Sequence, residues 1–196
     1  MVFRTIEKIP MMRLNARQLR LQEPDPLLVK NLKRHPIFLI LDNVLDTYNV
    51  GAIFRLADAV AAEKVFLCGE TETPPNPKIK KASVSTWKWV NWEYSTTALD
   101  AINKLKIESA LQQDLAGAKV KIIAVEQHEK SIPLAKFRPE FPLALVVGNE
   151  TYGVSKEVLN TADAIVELPM YGINKSLNVM VTAGIVLYRI IEHLDI

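Results

Sequence analysis

The sequence predicts an α/β fold in which a mainly parallel sheet has helices on both faces. Five short, continuous apolar runs have the length of strands that are covered on both sides, and they lie at residues 37–41, 65–68, 120–125, 143–147 and 164–168. Helical patterns separate these runs, which is the alternation that builds parallel sheets. The chain has 196 residues, of which 49% are hydrophobic and 23% charged. This size and composition fit one such domain with a short appendage.

Residues 1–36 are predicted to form a basic helical extension, and residues 37–196 the main domain. The extension contains eight Lys or Arg residues and three acidic residues, a net charge of +5, whereas the whole chain carries +2. Two short helices are predicted, at residues 12–22 and after Pro26. His35-Pro36 closes the extension, because a residue that precedes proline is pushed out of helical geometry. Such a segment is either a contact surface for an anionic partner or a solvated helical arm.

The first helix of the main domain, at residues 50–61, is predicted to be amphipathic. Its buried face consists of Val50, Ile53, Phe54, Ala57 and Ala61. Arg55 projects away from this face, so its side chain is free for a ligand, a second subunit or solvent. Further helices are predicted at residues 97–113, 154–161 and 176–194.

The last of these helices is apolar in nearly every direction, so we expect it to be covered on more than one side. Three polar side chains, Ser176, Asn178 and Thr182, lie in this apolar surround. A buried polar group without a partner costs roughly 1 to 3 kcal/mol. These groups therefore either cap the helix or contact a ligand.

Residues 78–92 interleave lysines with tryptophans. The residues are Lys78, Lys80, Lys81, Trp87, Lys88, Trp89 and Trp92. The composition suits phosphates and stacked bases. Alternatively, Trp87 and Trp89 alternate as in a short strand and pack internally.

Three loops are predicted to lie at the same edge of the sheet. They follow the first, fourth and fifth strands, span residues 42–51, 148–153 and 169–178, and each leads into a helix. Ligands of parallel sheets bind at the carboxyl ends of the strands, so these loops are expected to build one pocket. Gly148 and Gly153 would allow the backbone to approach a ligand closely.

Several other functions are disfavoured by missing motifs. The chain has no glycine-rich phosphate loop and no Gly-x-Ser-x-Gly elbow, which argues against a dinucleotide or nucleoside triphosphate as ligand and against a serine triad. His35, His128 and His193 have no Cys partner and no metal-ligand spacing, so no metal site is predicted. The single cysteine, Cys68, lies in an apolar run and is expected to be a buried, inert thiol. The absence of an 18-residue apolar run or a secretory signal predicts a cytoplasmic protein without membrane contact.

Taken together, the three loops resemble the signature motifs of the SpoU branch of the SPOUT RNA methyltransferases. The first motif resembles Asn49-Val-Gly-Ala-Ile-Phe-Arg55, and the second resembles Val147-Gly-Asn-Glu150 with Gly153. The third resembles Leu168-Pro-Met-Tyr-Gly172 followed by Ser176-Leu-Asn-Val179. Their order and separations match over residues 36–194. Many relatives have Ser and Ala where this chain has Met180 and Val181, positions that we assign to helix packing.

This resemblance implies a C-terminal trefoil knot, a homodimer and S-adenosylmethionine as cofactor. The cofactor contacts that it implies are Gly148, Asn149, Leu168, Met170, Ser176 and Leu177. The catalytic residues that it implies are Arg55, Asn49, Glu150, Asn178 and Ser176. Among these, Arg55 matches the arginine that helps to activate the ribose hydroxyl, and Asn49 matches the asparagine that organises its loop.

The expected activity is therefore methyl transfer to a ribose 2′-hydroxyl of transfer RNA or ribosomal RNA, and the extension is then expected to contact RNA. Two alternatives stay open at this point. One is a non-catalytic RNA-binding protein on the same fold. The other is an α/β enzyme of small molecules, which would need no basic extension.

Overall fold

The sheet is parallel throughout the described part of the chain. The computed structural model describes residues 15–21, 23–111 and 119–194. Its seven strands have the order β3-β2-β1-β6-β4-β7-β5, and every pair is parallel. The strands are β1 (His35–Asp42), β2 (Ala62–Cys68), β3 (Trp92–Ser95), β4 (Lys121–Val125), β5 (Ile132–Pro133), β6 (Leu143–Gly148) and β7 (Ala164–Glu167). The predicted parallel sheet is confirmed.

Helices cover both faces of this sheet, as predicted. They are α1 (Ala16–Leu21), α2 (Pro26–Asn31), α3 (Thr47–Ala59), α4 (Pro77–Ser83), α5 (Ala98–Leu111), α6 (Lys156–Thr161) and α7 (Val179–Ile191). Successive strand residues point to opposite faces. In β1, Leu39 and Leu41 accordingly join the apolar core with α3, α4 and α7. Phe38 and Ile40 join the core with α5 and α6. The knot implied by the resemblance stays a prediction.

The amphipathic helix has the predicted orientation. Val50, Ile53, Phe54 and Ala57 are fully buried in α3, and Arg55 is exposed. Ala61, which was included in the helix, lies beyond its end in a left-handed conformation with φ +46°. Asp46 begins the helix by accepting a hydrogen bond of 2.8 Å from the Tyr48 N–H, a standard N-cap.

The last helix begins later than predicted. Asn178 is the N-cap of α7, and its side-chain oxygen accepts a hydrogen bond of 2.9 Å from the Met180 N–H. Ser176 therefore lies in the preceding loop and not in the helix. Of the two alternatives for these side chains, capping holds for Asn178 and does not hold for Ser176.

The lysine and tryptophan stretch is mostly helical, and only its last residue, Trp92, belongs to a strand, β3. Residues 77–83 are α4, and Thr86–Lys88 is a 3₁₀ helix. The predicted internal packing is nevertheless confirmed, because Trp87 and Trp89 are partly buried against the core. The Trp89 indole N–H donates a hydrogen bond of 2.7 Å to Asp58, and burial raises the pKa of that carboxyl although this hydrogen bond and the positive charge of Arg34 act against it.

The described part of the extension contacts the main domain at two places. Lys88 forms an ion pair with Glu23. The Arg34 guanidinium donates hydrogen bonds to the carbonyl oxygens of Ala62 at 3.1 Å and Trp89 at 2.7 Å. The first strand begins earlier than the predicted residue 37, because β1 starts at His35, whose N–H donates to the Ala61 oxygen at 2.8 Å. The start of the predicted helix 12–22 lies outside the described residues.

Candidate active site

A cavity of about 400 Å³ opens at the carboxyl ends of β4, β6 and β7, the edge of the sheet that the sequence selects. The second and third loops and the start of α7 form its walls. The predicted site residues that line it are Gly148, Asn149, Glu150, Leu168, Met170, Ser176, Leu177 and Asn178. Asn49 and Arg55 do not line it. Hydrogen bonds join the first loop to residues that line this cavity, namely Asn149, Glu150 and Asn178.

Three predicted catalytic residues form one hydrogen-bonded chain. The Asn49 amide donates to Glu150 Oε1 at 2.9 Å, and the Asn178 amide donates to Asn49 Oδ1 at 3.0 Å. Each residue comes from a different loop. Because Asn178 also caps α7, these two hydrogen bonds fix the start of that helix relative to the other two loops.

Glu150 also fixes the backbone of the first loop. Its carboxylate accepts hydrogen bonds from the Leu45 N–H at 3.0 Å and the Asp46 N–H at 3.1 Å. Partial burial acts to raise the pKa of Glu150, but the hydrogen bonds from Asn49 and these backbone groups together hold it below the ordinary value of 4.5. The carboxylate is therefore ionised at neutral pH and serves as an acceptor.

This lowered pKa predicts a dependence of stability on pH. A carboxyl whose pKa is lower in the folded than in the unfolded chain stabilises the fold fully above its unfolded pKa. The contribution is lost as the pH falls from about 4.5 through the folded pKa. In urea titrations we therefore expect Glu150→Gln to be less stable than wild type at pH 7, with the difference shrinking towards pH 3. A difference that does not depend on pH would contradict this role.

Asn149 holds the second loop close to the first, and Gly148 lets the two ends of the second loop approach each other. The Asn149 amide donates to the Asn43 carbonyl oxygen at 2.9 Å, and its Oδ1 accepts from the Thr151 N–H at 2.8 Å. A Cβ atom on Gly148 would lie 2.2 Å from the Gly153 carbonyl carbon and 2.3 Å from the Val154 nitrogen. Only glycine fits at this position, because both neighbours are backbone atoms.

The third loop contributes residues to the cavity wall and has few main-chain hydrogen bonds. Residues 171–178 are all exposed. Within the described chain, only two of the main-chain groups between Pro169 and Leu177 have a hydrogen-bond partner, namely the Ser176 N–H and the Lys175 carbonyl. The remaining donors and acceptors are available to a ligand.

Arg55 lies outside the cavity of its own chain. It follows Asn49 by six residues, which separates the two by about 9 Å along the helix axis. Its side chain is exposed, and among the described residues it forms no hydrogen bond or ion pair. The Arg55 side chain is therefore not part of this cavity as the structure shows it.

The prediction from sequence missed four acidic or amide residues at this edge. Glu126, Gln127 and Glu167 line the cavity. Asp42 is buried nearby, and its carboxylate accepts a hydrogen bond of 2.8 Å from the Ser155 N–H. All four lie at or directly after a strand's carboxyl end, so the rule that selected the three loops would also have found them.

Metal ligands, the thiol and membrane-spanning helices bear on other possible functions. In the described ranges, no group of three or more His, Cys, Asp and Glu side chains is arranged to hold a metal ion. Over the same ranges, no helix has the length and apolar character needed to cross a bilayer. Cys68 is fully buried, and burial, together with the charges of Asp42 and Asp100, raises its pKa to about 12. Its thiol is therefore inert, as predicted.

Comparison with known proteins gives consistent matches. The family profile described as "SpoU rRNA Methylase family" matches residues 36–188. The tRNA (guanosine(18)-2′-O)-methyltransferase of Aquifex aeolicus is 30% identical over 160 residues, which are 80% of this chain and 69% of that protein. The 23S rRNA (guanosine-2′-O-)-methyltransferase RlmB of Ralstonia nicotianae is 30% identical over 84% of this chain and 62% of that protein.

A solved structure agrees with these sequence matches. The AdoMet-bound rRNA methyltransferase from Sinorhizobium meliloti is 26% identical, with a TM-score of 0.68 over 90% of this chain and 60% of that one. The chain thus spans between three fifths and seven tenths of the length of the proteins compared. The profile match covers most of the main domain, including all three loops of the cavity. This chain belongs to the SpoU rRNA methylase family.

Proposed function

We propose that this protein transfers a methyl group from S-adenosylmethionine to a ribose 2′-hydroxyl of transfer RNA or ribosomal RNA. The observation that carries this proposal is the chain of hydrogen bonds from Glu150 through Asn49 to Asn178 at the edge of the cavity. These residues match the family's three motifs. The relatives named above are methyltransferases of these two kinds of RNA.

The cavity has the size and chemistry that S-adenosylmethionine requires. Its volume of about 400 Å³ lies within the range of roughly 300 to 1,000 Å³ that is usual for small-molecule sites. The unpaired main-chain groups of residues 169–177 offer donors and acceptors for a nucleoside. The carboxylates of Glu126, Glu150 and Glu167 complement a positively charged ligand.

We assign cofactor contacts to six residues of the second and third loops. These are Gly148, Asn149, Leu168, Met170, Ser176 and Leu177. When bound there, the cofactor supplies an electrophilic methyl group on a sulfonium sulfur. Glu150 and Asn178 shape the side of the cavity that faces the first loop.

Arg55 is the group that we assign to the RNA hydroxyl. A ribose hydroxyl is a poor nucleophile at neutral pH, so charge that develops on its oxygen has to be stabilised. Arginine remains protonated in proteins, which favours electrostatic stabilisation over a role as a free base. Arg55 lies outside the cavity of its own chain. Its role therefore requires that RNA or a second copy of the chain bring Arg55 and the reacting hydroxyl together.

The second copy is proposed to cover the outer face of α7. Val181, Ile185 and Tyr188 lie on this face and are 40%, 43% and 51% exposed. Three large apolar side chains in one stripe indicate an association surface. The neighbouring Val186 is fully buried in its own core, so a charge at that position would test folding instead of assembly.

We expect Ile185→Asp to convert the dimer into a monomer, because the interface would have to bury an unpaired charge. Sedimentation velocity at micromolar concentration measures this change. Ile107→Asp is the matched control, since Ile107 is 62% exposed on α5, on the opposite face of the sheet. A monomeric wild type, or an Ile185→Asp variant that stays dimeric, would contradict the proposed interface.

The basic extension is proposed to contact RNA phosphates. Lys30 and Lys33 are exposed there, and among the described residues neither forms an ion pair. Each lost phosphate contact lowers the slope of log affinity against log salt by roughly 0.7 to 0.9. We therefore expect the double variant Lys30→Ala, Lys33→Ala to lower the slope of log RNA affinity against log salt by about 1.5.

Lys106→Ala, on the exposed surface of α5, is the control for this measurement. The competing surface is α4, which carries the exposed Lys78, Lys80 and Lys81. An unchanged slope for the extension variant, with a lower slope when the α4 lysines are replaced, would assign the RNA surface to α4 instead.

The proposed function is tested by incubating the protein with S-adenosylmethionine labelled in its methyl group, and separately with total transfer RNA and total ribosomal RNA. We expect label in one of the two RNA fractions. Binding of RNA without transfer would support the non-catalytic alternative, and transfer that does not need RNA would support a small-molecule enzyme.

A further inference from the structure

Two residues outside the three motif loops lie between the second and third loops. Glu126 and Gln127 directly follow β4, and both line the cavity. The Glu126 N–H continues the sheet by donating to the Val166 oxygen at 3.1 Å. The backbone of Glu126 therefore anchors the pair to β7, and the two side chains extend to the second and third loops.

The Glu126 side chain holds the second loop. Its Oε2 accepts a hydrogen bond of 2.9 Å from the Val154 N–H, and its Oε1 accepts one of 2.9 Å from the Gln127 N–H. Gly153 has φ +71°, and a Cβ atom there would lie 2.0 Å from Glu126 Oε2. The carboxylate thus occupies the space that the absent side chain of Gly153 leaves.

The Gln127 side chain holds the third loop. Its amide nitrogen donates to the carbonyl oxygen of Lys175. Within the part of the chain that the structure describes, this is the only hydrogen bond that joins residues 169–177 to residues outside that loop. Asn178, at the end of the third loop, is held by its hydrogen bond to Asn49; the exposed residues before it depend on Gln127 for their hydrogen-bonded attachment to the sheet.

We propose that Glu126 and Gln127 are positioning residues that hold the second and third loops in the arrangement that binds the cofactor. This inference rests on the proposed function, because it assigns the cavity to S-adenosylmethionine. A loop that is already ordered loses less conformational entropy when the ligand binds. Loss of either attachment therefore weakens cofactor binding and leaves the chemistry of the bound state largely unchanged.

Amide hydrogen exchange of the protein without cofactor tests the attachments directly. Gln127→Ala speeds exchange of the peptide that spans residues 170–178 by about threefold or more, because local opening becomes easier. Glu126→Gln does the same for the Val154 amide. The two carboxylate oxygens of Glu126 accept from the N–H groups of Val154 and Gln127. A glutamine nitrogen cannot accept, so one of these two donors loses its partner. Gln18→Ala in α1 is the matched control and changes neither peptide.

Calorimetric titration with S-adenosylmethionine is the second readout. Gln127→Ala raises the Kd by about 3- to 10-fold, the effect of one neutral hydrogen bond, and Glu126→Gln raises it by about 10-fold or more. At saturating cofactor the kcat of Gln127→Ala stays within about threefold of wild type, since the residue acts on binding alone.

Unchanged exchange and unchanged Kd in both variants would overturn the inference. So would a Gln127→Ala variant that loses kcat at saturating cofactor while its Kd stays the same. A wild-type protein that does not bind S-adenosylmethionine would instead refute the proposed function, and with it the assignment of these loops to the cofactor. The exchange data would then still show whether the two side chains order the loops.

Discussion

Gly148→Ala is expected to weaken binding of S-adenosylmethionine by more than tenfold and to lower the free energy of unfolding. A methyl group at this position would lie 2.2 to 2.3 Å from backbone atoms of Gly153 and Val154. Backbone cannot rotate away as a flexible side chain can, so the second loop has to move outwards. Overpacking of this kind costs about 1 to 3 kcal/mol, and the displaced loop forms one wall of the cavity.

Gly172→Ala provides the matched control for this substitution. Gly172 lies on the third loop, and a Cβ atom there would have no neighbour within 4 Å. We expect it to change the free energy of unfolding by less than about 0.5 kcal/mol. Urea titration and calorimetry measure both effects. If Gly148→Ala bound the cofactor as tightly as Gly172→Ala does, the close approach of the two ends of the second loop would not define the cofactor site.

Arg55→Ala is expected to lower the rate of methyl transfer by at least about 100-fold, the loss that follows removal of one well-placed electrostatic group. Stability and cofactor affinity should stay near those of wild type. The reason is that Arg55 is exposed, lies off the buried face of α3 and does not line the cavity. Single-turnover kinetics with saturating cofactor and RNA measure the chemical step.

Arg138→Ala is the control, because Arg138 is exposed at a smaller cavity at the opposite edge of the sheet. A mixing experiment then shows which chain supplies Arg55. Mixed dimers of Arg55→Ala and Gly148→Ala chains regain activity if the arginine of one chain serves the cavity of the other. Near-normal transfer by Arg55→Ala alone would remove this residue from the mechanism.

The central strands could be predicted because they are buried on both faces. Residues such as Leu39 and Val146 are fully buried, so each central strand is a continuous apolar run. The edge strands β3 and β5 were missed, since they are only four and two residues long and partly exposed. Helix α4 was missed for a related reason. Only Ile79 and Ser83 of its seven residues are buried, too few to produce a helical pattern.

The position of the site was predictable, but its internal contacts were not. Parallel strands place the loops after β1, β6 and β7 at one edge, and this rule is independent of distance along the chain. Hydrogen bonds such as Asn49 to Glu150 join residues 101 positions apart, and no local pattern encodes them. Glu126 and Gln127 were overlooked because they belong to none of the three motif loops.

The central claim is that the methyl group is transferred to a ribose oxygen, and product analysis tests it most directly. RNA labelled by this protein from methyl-labelled S-adenosylmethionine is hydrolysed in alkali. A 2′-O-methyl group blocks the neighbouring hydroxyl that alkali requires, so we predict that the label appears in alkali-resistant dinucleotides and, after nuclease digestion, in 2′-O-methylnucleosides. Label recovered in mononucleotides carrying methylated bases would contradict the account.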